Sequence, residues 1–180
     1  DVKIRGMNAL WLPAIAKVPD APKHFTWHSW AMMGSEREMQ KLGMCYYIPL
    51  RYSELPRLYR ENLEPCSVAM FQVTPPDENG NFNFGPGCSH MAAVVENAKK
   101  VIVEVNHNLP YCHGGFEECV NIRDVDAIVE YDSPLAELTA KPGTDVDIAV
   151  ANHVVELLKG GECLQLGIGA MPNAVGKLIA

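Results

Sequence analysis

The chain has 180 residues, 48% of them hydrophobic, enough to bury one good core or one domain and the beginning of another. Its 15 basic and 22 acidic residues give a net charge of -7, which argues against nucleic acid or an anionic membrane as partner, since both select for clustered Lys and Arg. No apolar run approaches the roughly 18 residues of a membrane helix, Asp1 to Arg5 has no signal-peptide core, and the six cysteines form no C-x-x-C pair, so the expectation is a cytoplasmic protein with reduced, partly buried thiols.

Val2 to Met7 reads as a short strand, and Ala9 to Lys23, broken by three prolines, as loop with a short helix. Ser35 and Glu38 form an S-x-x-E capping box, so a helix is expected from Ser35 to Leu42, stopped by Gly43. A strand over Cys45 to Leu50 follows, then a helix capped by Ser53 and running to Arg60, with Pro56 in its first turn. Cys66 to Val73 is an unbroken apolar run, expected as a strand covered on both faces. Asn79-Gly80 marks a turn, Ser89 to Lys100 a helix, and Val101 to Val105 and Asp126 to Tyr131 two more strands.

Ser133 to Asp145, with two prolines and a glycine, is the best linker. After it come a helix from Val146 to Lys159 closed by Gly160-Gly161, a strand from Glu162 to Leu166, a GIG turn, and a helix from about Pro172. Alternating strands and helices with apolar strands predict an α/β protein with a mostly parallel sheet and helices on both faces. The domain boundary is expected near the linker, residues 1–140 forming one domain and 141–180 the first helix, strand and helix of a second.

The segment best placed to carry chemistry is CLQLGIGAMPNA, Cys163 to Ala174. Gly167-Ile168-Gly169 between a strand and a helix leaves backbone N–H groups at a helix start, a place that favours an oxyanion or a phosphate. G-x-G corners also occur for packing alone, and Pro172 stands where a dinucleotide fingerprint has its third glycine. NFGPGCSH, Asn83 to His90, offers a second constrained loop, with Ser89 placed to cap the helix after it. Cys88 with His90 as base is the rival reading there, and an apolar-flanked Cys without a group to orient the imidazole is more often inert. His24 and His28, or Cys112-His113 with Cys119, do not match zinc spacing, so no metal is expected. Glu104, in the buried-strand pattern VIVEV, needs a partner or a perturbed pKa.

The stretches WHSWAMMGSERE, YYIPLRYSELPRLYRE, VAMFQVTPPDENGNFNFGP, AKKVIVEVNHNLP and CLQLGIGAMPNAVG together resemble the acetyl-CoA hydrolase/transferase family over essentially the whole chain. RYSELPRLYRE, NFGP and GIGAMPNAVG resemble the branch that exchanges CoA between butyryl-CoA and acetate more than the 4-hydroxybutyrate or hydrolase branches, which have aspartate where Asn173 stands.

The resemblance implies the three-layer αβα fold of CoA-transferases. It also implies a ping-pong exchange in which a glutamate attacks the thioester and passes through an acyl anhydride to a glutamyl-CoA thioester, with CoA as co-substrate and no other cofactor. The partners implied are an acyl-CoA and a short carboxylic acid, in a homo-oligomer at full length. The family's nucleophile lies in a Glu-Met motif on the strand after the GIG helix, expected beyond Ala180, and a further helix and strand are expected before Asp1. Glu38-Met39 falls elsewhere in the family pattern and is not that motif. By position, the Ile168 amide between Gly167 and Gly169 matches the oxyanion donor, Gln165 and Gly167 match residues near the thioester, Met171, Pro172 and Asn173 line the same corner, and Gly85, Pro86 and Gly87 match a facing loop. Acyl-CoA hydrolysis, a 4-hydroxybutyrate CoA-transferase of the same family, or a fragment that only folds or binds, are the alternatives, and the isolated chain is expected to be inactive.

Overall fold

The computed structural model describes residues 1–6, 9–137 and 142–180. These form two compact units, Asp1–Leu135 and Ala136–Ala180. Met7 at the end of the first expected strand, and the expected boundary between 140 and 141, lie outside the described residues.

In the first unit β1 (Val2–Arg5), α1 (Ala21–His24), β2 (Phe25–Ser29), α2 (Gly34–Lys41) and β3 (Cys45–Tyr47) build a parallel three-stranded sheet in the order β1-β2-β3. The phase of α2 is set by burial: Glu36 and Met39, three apart and hence on one face, are both fully buried. That phase corrects the expected capping box. The helix begins at Gly34 without a side-chain cap, Ser35 lies inside its first turn, and Glu38 turns outward to Lys41 at 2.8 Å. The Glu36 carboxylate instead accepts the Ala9 N–H at 2.8 Å. Gly43, at φ +77°, ends the helix and delivers Met44 and Cys45 into the core beneath β2.

A 3-10 turn, Tyr52–Glu54, leads into α3 (Leu55–Arg60). Ser53 lies within that turn and does not cap; Glu54 takes the role by accepting the Arg51 N–H at 3.3 Å. Leu55 and Tyr59, one helical turn apart, point inward onto Trp30, Ala69 and Val94.

Then come β4 (Ala69–Val73), β5 (Asn81–Asn83), α4 (Met91–Asn97), β6 (Val101–Val105), β7 (Cys119–Asn121) and β8 (Ala127–Glu130). A second parallel sheet runs β4-β6-β8, and β5 and β7 pair antiparallel. Val73, Val101, Val103 and Val105 meet Phe82, Phe84 and Val120 in one cluster, each buried Val contributing roughly 1.5–3 kcal/mol. The expectation of a strand covered on both faces is corrected here: the Cys66 to Val73 run is strand only from Ala69, and Met70 on its other face is 74% exposed. β4 is an edge strand, and only its Ala69-Phe71-Val73 face meets the helices.

The second unit is α5 (Asp145–Glu156) and α6 (Ala170–Ile179), which pack together around Ala151 and Val175. Thr144 caps α5: its hydroxyl accepts the Asp147 N–H while the Asp147 carboxylate accepts the Thr144 N–H, at 3.2 and 2.8 Å. The expected strand from Glu162 to Leu166 does not form. A strand needs a neighbour to complete its ladder, and the described residues of this unit offer only helices; the Glu162 carboxylate is turned back onto the Lys159 and Gly160 N–H groups.

Candidate functional site

The GIG corner is the entry to α6, which starts at Ala170, two residues before the sequence suggests. Gly169 occupies the cap position at φ +148°, ψ 172°, a backbone that side-chain-bearing residues rarely adopt. Pro172 sits in the first turn, where its missing N–H is not needed, with its ring 3.6 Å from the place a Gly169 Cβ would occupy. Among the described residues the N–H groups of Gly167, Ile168 and Gly169 donate to no partner. The Ile168 side chain is 98% exposed. Three free amides in one turn at a helix N-terminus present partial positive charge to solvent. Met171 is partly exposed, Asn173 is half-buried with its N–H on Gly169 O at 3.1 Å, and exposed Gln165 turns to the Leu166 carbonyl at 3.1 Å. Leu166, Ala170, Pro172 and Asn173 join Gly143 and Ile148 in lining a groove on this unit.

Gly85, Pro86 and Gly87 lie in the first unit as a 3-10 turn. Gly85 has φ +58°, and a Cβ there would stand 2.8 Å from Leu109 Cγ, so only glycine fits. The organiser of this loop is Asn83, fully buried and missed by sequence reasoning. Its Oδ1 accepts the N–H groups of Gly85 and Cys112 at 2.8 and 3.0 Å, and its Nδ2 donates to the Cys112 carbonyl at 3.0 Å. Pro86 and Gly87 are exposed above this staple. The Asn-Phe-Gly-Pro order was the available signal: an amide two residues before a left-handed glycine can bond the turn it precedes.

The expectation that Ser89 caps α4 is corrected. His90 takes the cap position, and Ser89 holds φ +41° with its hydroxyl engaged elsewhere. Tyr52 O–H donates to Ser89 Oγ, which lies 2.8 Å from His90 Nδ1. The His90 ring stacks on Tyr59 at 5.5 Å and meets Trp30 edge-on at 5.6 Å, and burial lowers its pKa.

Burial, then Glu117 and Glu118, pushes the Cys88 thiol up, and its Sγ donates to the Glu117 carbonyl at 3.3 Å, an environment that does not favour a thiolate. Glu104 finds a cross-strand partner in Gln72, whose Nε2 donates to it at 2.6 Å. His24 ends α1 and His28 lies in β2 against Tyr46, and among the described residues no group of three or more His, Cys, Asp or Glu stands close enough to hold a metal. No helix among them is long and apolar enough to cross a membrane.

The comparisons with known proteins agree with one another. Residues 7–138 match the acetyl-CoA hydrolase/transferase N-terminal domain. The chain is 54% identical, over all of its length and 41% of the relative's, to butyryl-CoA:acetate CoA-transferase of Anaerostipes caccae. It is 40% identical, over all of its length and 40% of the relative's, to a probable butyrate:acetyl-CoA coenzyme A-transferase of Syntrophomonas wolfei. The chain thus spans about two fifths of the length of these relatives. Among solved structures, RipA from Yersinia pestis superposes with a TM-score of 0.82 at 28% identity, covering 89% of this chain and 38% of that one. The 4-hydroxybutyrate CoA-transferase of Porphyromonas gingivalis superposes at 0.71 with 29% identity, covering 88% and 41%. With parallel α/β sheets, a family model matching most of its residues and a relative that matches it along its whole length, the chain belongs to the acetyl-CoA hydrolase/transferase family.

Proposed function

We propose that this chain is the amino-terminal part of a CoA-transferase that moves CoA from butyryl-CoA to acetate through a glutamyl-CoA thioester. The observation that carries the reading is the 54% identity, over the whole of this chain and 41% of the relative, to a butyryl-CoA:acetate CoA-transferase. In this scheme a glutamate beyond Ala180 attacks the thioester carbonyl, and the charge that develops on its oxygen needs donors already in place. The free Ile168 amide, set between two glycines in an exposed turn, is suited to that task and needs no reorganisation to meet the oxyanion. Gln165, Met171, Pro172 and Asn173 would border the acyl group, and Gly85, Pro86 and Gly87 are read as further substrate-binding residues. CoA is a co-substrate, and the chemistry calls for no metal or other cofactor. The full-length enzyme is read as a cytoplasmic homo-oligomer.

The test is CoA exchange by the full-length protein. Butyryl-CoA consumed only when acetate is present supports transfer. CoA released equally without acetate replaces transfer by hydrolysis, and no turnover of butyryl-CoA in either case refutes the reading.

A further inference from the structure

Tyr52, Ser89 and His90 form a chain of groups that the CoA-transfer reading does not use. Ser89 directly follows the Gly85-Pro86-Gly87 turn and Cys88, is exposed, and is held at φ +41°, a conformation glycine prefers. Strained backbone of this kind persists where the surroundings over-determine it, and it clusters at functional sites. Here the surroundings are explicit. The Ser89 hydroxyl is fixed between the Tyr52 O–H and His90 Nδ1, and His90 cannot swing away because its ring is clamped by Tyr59 and Trp30. Space is open beside it: a Cβ on Gly87 would meet no atom within 4 Å.

One assignment of protons satisfies both contacts. Tyr52 donates to Oγ, Ser89 donates its own proton to Nδ1, and His90 is neutral with its proton on Nε2. Burial favours that neutral form. A serine hydroxyl held against an unprotonated imidazole is the working pair of nucleophilic acyl transfer.

We propose that Ser89 is an acyl-accepting nucleophile, with His90 as its base, that takes an acyl group from an activated ester or a thioester. Oγ bonds to the acyl carbon as the Ser89 proton passes to His90 Nδ1. The Tyr52 O–H, already beside Oγ, is the donor within reach of the oxyanion. Collapse breaks the bond to the leaving group, which departs as a phenolate or as a thiolate that then recovers the proton from His90. The product is an O-acyl serine and a free phenol or thiol. This does not rest on the CoA-transfer reading, since neither the GIG turn nor a glutamate takes part.

The 180-residue chain, treated with p-nitrophenyl acetate, provides the test, by nitrophenolate release followed by peptide mapping in a mass spectrometer. The expected result is a burst of about one nitrophenolate per chain and one acetyl group on the peptide containing Ser89. Ser89→Gly should abolish that label while melting at or above the parent's temperature, because glycine accepts the positive φ. His90→Phe keeps a ring between Tyr59 and Trp30 and should slow labelling about a hundredfold or more. The labelling rate should level off below the ordinary histidine pKa of 6.5, where His90 has become neutral; the Tyr59 phenol and the Cys88 thiol beside it are both pushed upward and add no step there. Label confined to cysteines, lysines or the amino terminus, an undiminished rate in Ser89→Gly, or no burst at all would overturn the proposal.

Discussion

Two glycine turns carry the candidate chemistry, and they are built in opposite ways. The turn at Gly85 is tied from below: Asn83 spends both ends of its amide on the backbone of Gly85 and Cys112, and Leu109 fills the space that a side chain would need. The turn at Gly167 to Gly169 is tied to almost nothing; its three amides lack partners among the described residues and Ile168 stands clear of the protein. Unpaired backbone donors persist where water or a ligand can reach them. The first turn is therefore a platform tied to the protein, and the second a set of donors left open to solvent.

If that contrast is right, the largest stability effect lies at the platform. Asn83→Ala leaves the buried Gly85 N–H and the partly buried Cys112 N–H and carbonyl without their partner, and should cost about 2 kcal/mol or more in denaturant unfolding, at roughly 1–3 kcal/mol for a fully buried orphaned group. A cost below about 1 kcal/mol would mean that water replaces the staple easily. Gly85→Ala should follow at roughly 1–3 kcal/mol, from the positive φ and the clash with Leu109.

Acid should weaken the platform's unit through His90 and His28. Burial lowers His90, and burial with the Arg5 charge lowers His28, both from 6.5. The unfolded chain then binds more protons than the folded one between the depressed values and 6.5, so stability falls as pH drops through that window and is recovered above it. His90→Phe should flatten the slope of melting temperature against pH there, and an unchanged slope would remove His90 from the account. At the open turn, Gly169→Val should cost only about 1 kcal/mol of stability, since the residue is strained but touches little. Ile168→Ala should be smallest, within about 0.5 kcal/mol and with turnover of the full-length enzyme unaltered, because the proposal uses the amide and not the side chain.

The same contrast explains what could be read in the sequence. Val101 to Val105 was legible as a strand because its residues are mostly apolar, and three of its valines are buried at the centre of a sheet. Gly43 was legible as a helix stop because positive φ is a local demand, whereas α5 ends at Glu156, short of the expected stop at Gly160-Gly161. β2 and β7 were not anticipated. His24 to Trp30 reads as an aromatic patch, and only pairing with β1 and β3 makes Phe25–Ser29 a strand, while Cys119–Asn121 is three residues long and exists through Asn81–Asn83. The reverse holds at Glu162 to Leu166, where apolar residues suggest a strand that has no ladder partner among the described residues of its unit.

Capping depends on tertiary context in the same way. Ser35, Ser53 and Ser89 all have the right local chemistry, but inward burial of Glu36 and Met39, of Leu55 and Tyr59, and the grip of Tyr52 and His90 on Ser89 decide the registers instead. Of the candidate site, the glycines and the GIG corner were visible from sequence and resemblance. Asn83 showed only half of its role there, because its bond to Gly85 is local while its two bonds to Cys112 reach a partner distant in the chain.

The most direct test of the central claim is steady-state CoA exchange from butyryl-CoA to acetate by the full-length enzyme carrying Gly169→Val. A side chain at φ +148° must shift the turn and with it the Ile168 amide. The account predicts turnover lower by about a hundredfold or more, the usual effect of losing one oxyanion donor, with a smaller change in CoA affinity. Turnover within a few-fold of the parent enzyme, in a variant shown to be folded, would contradict it.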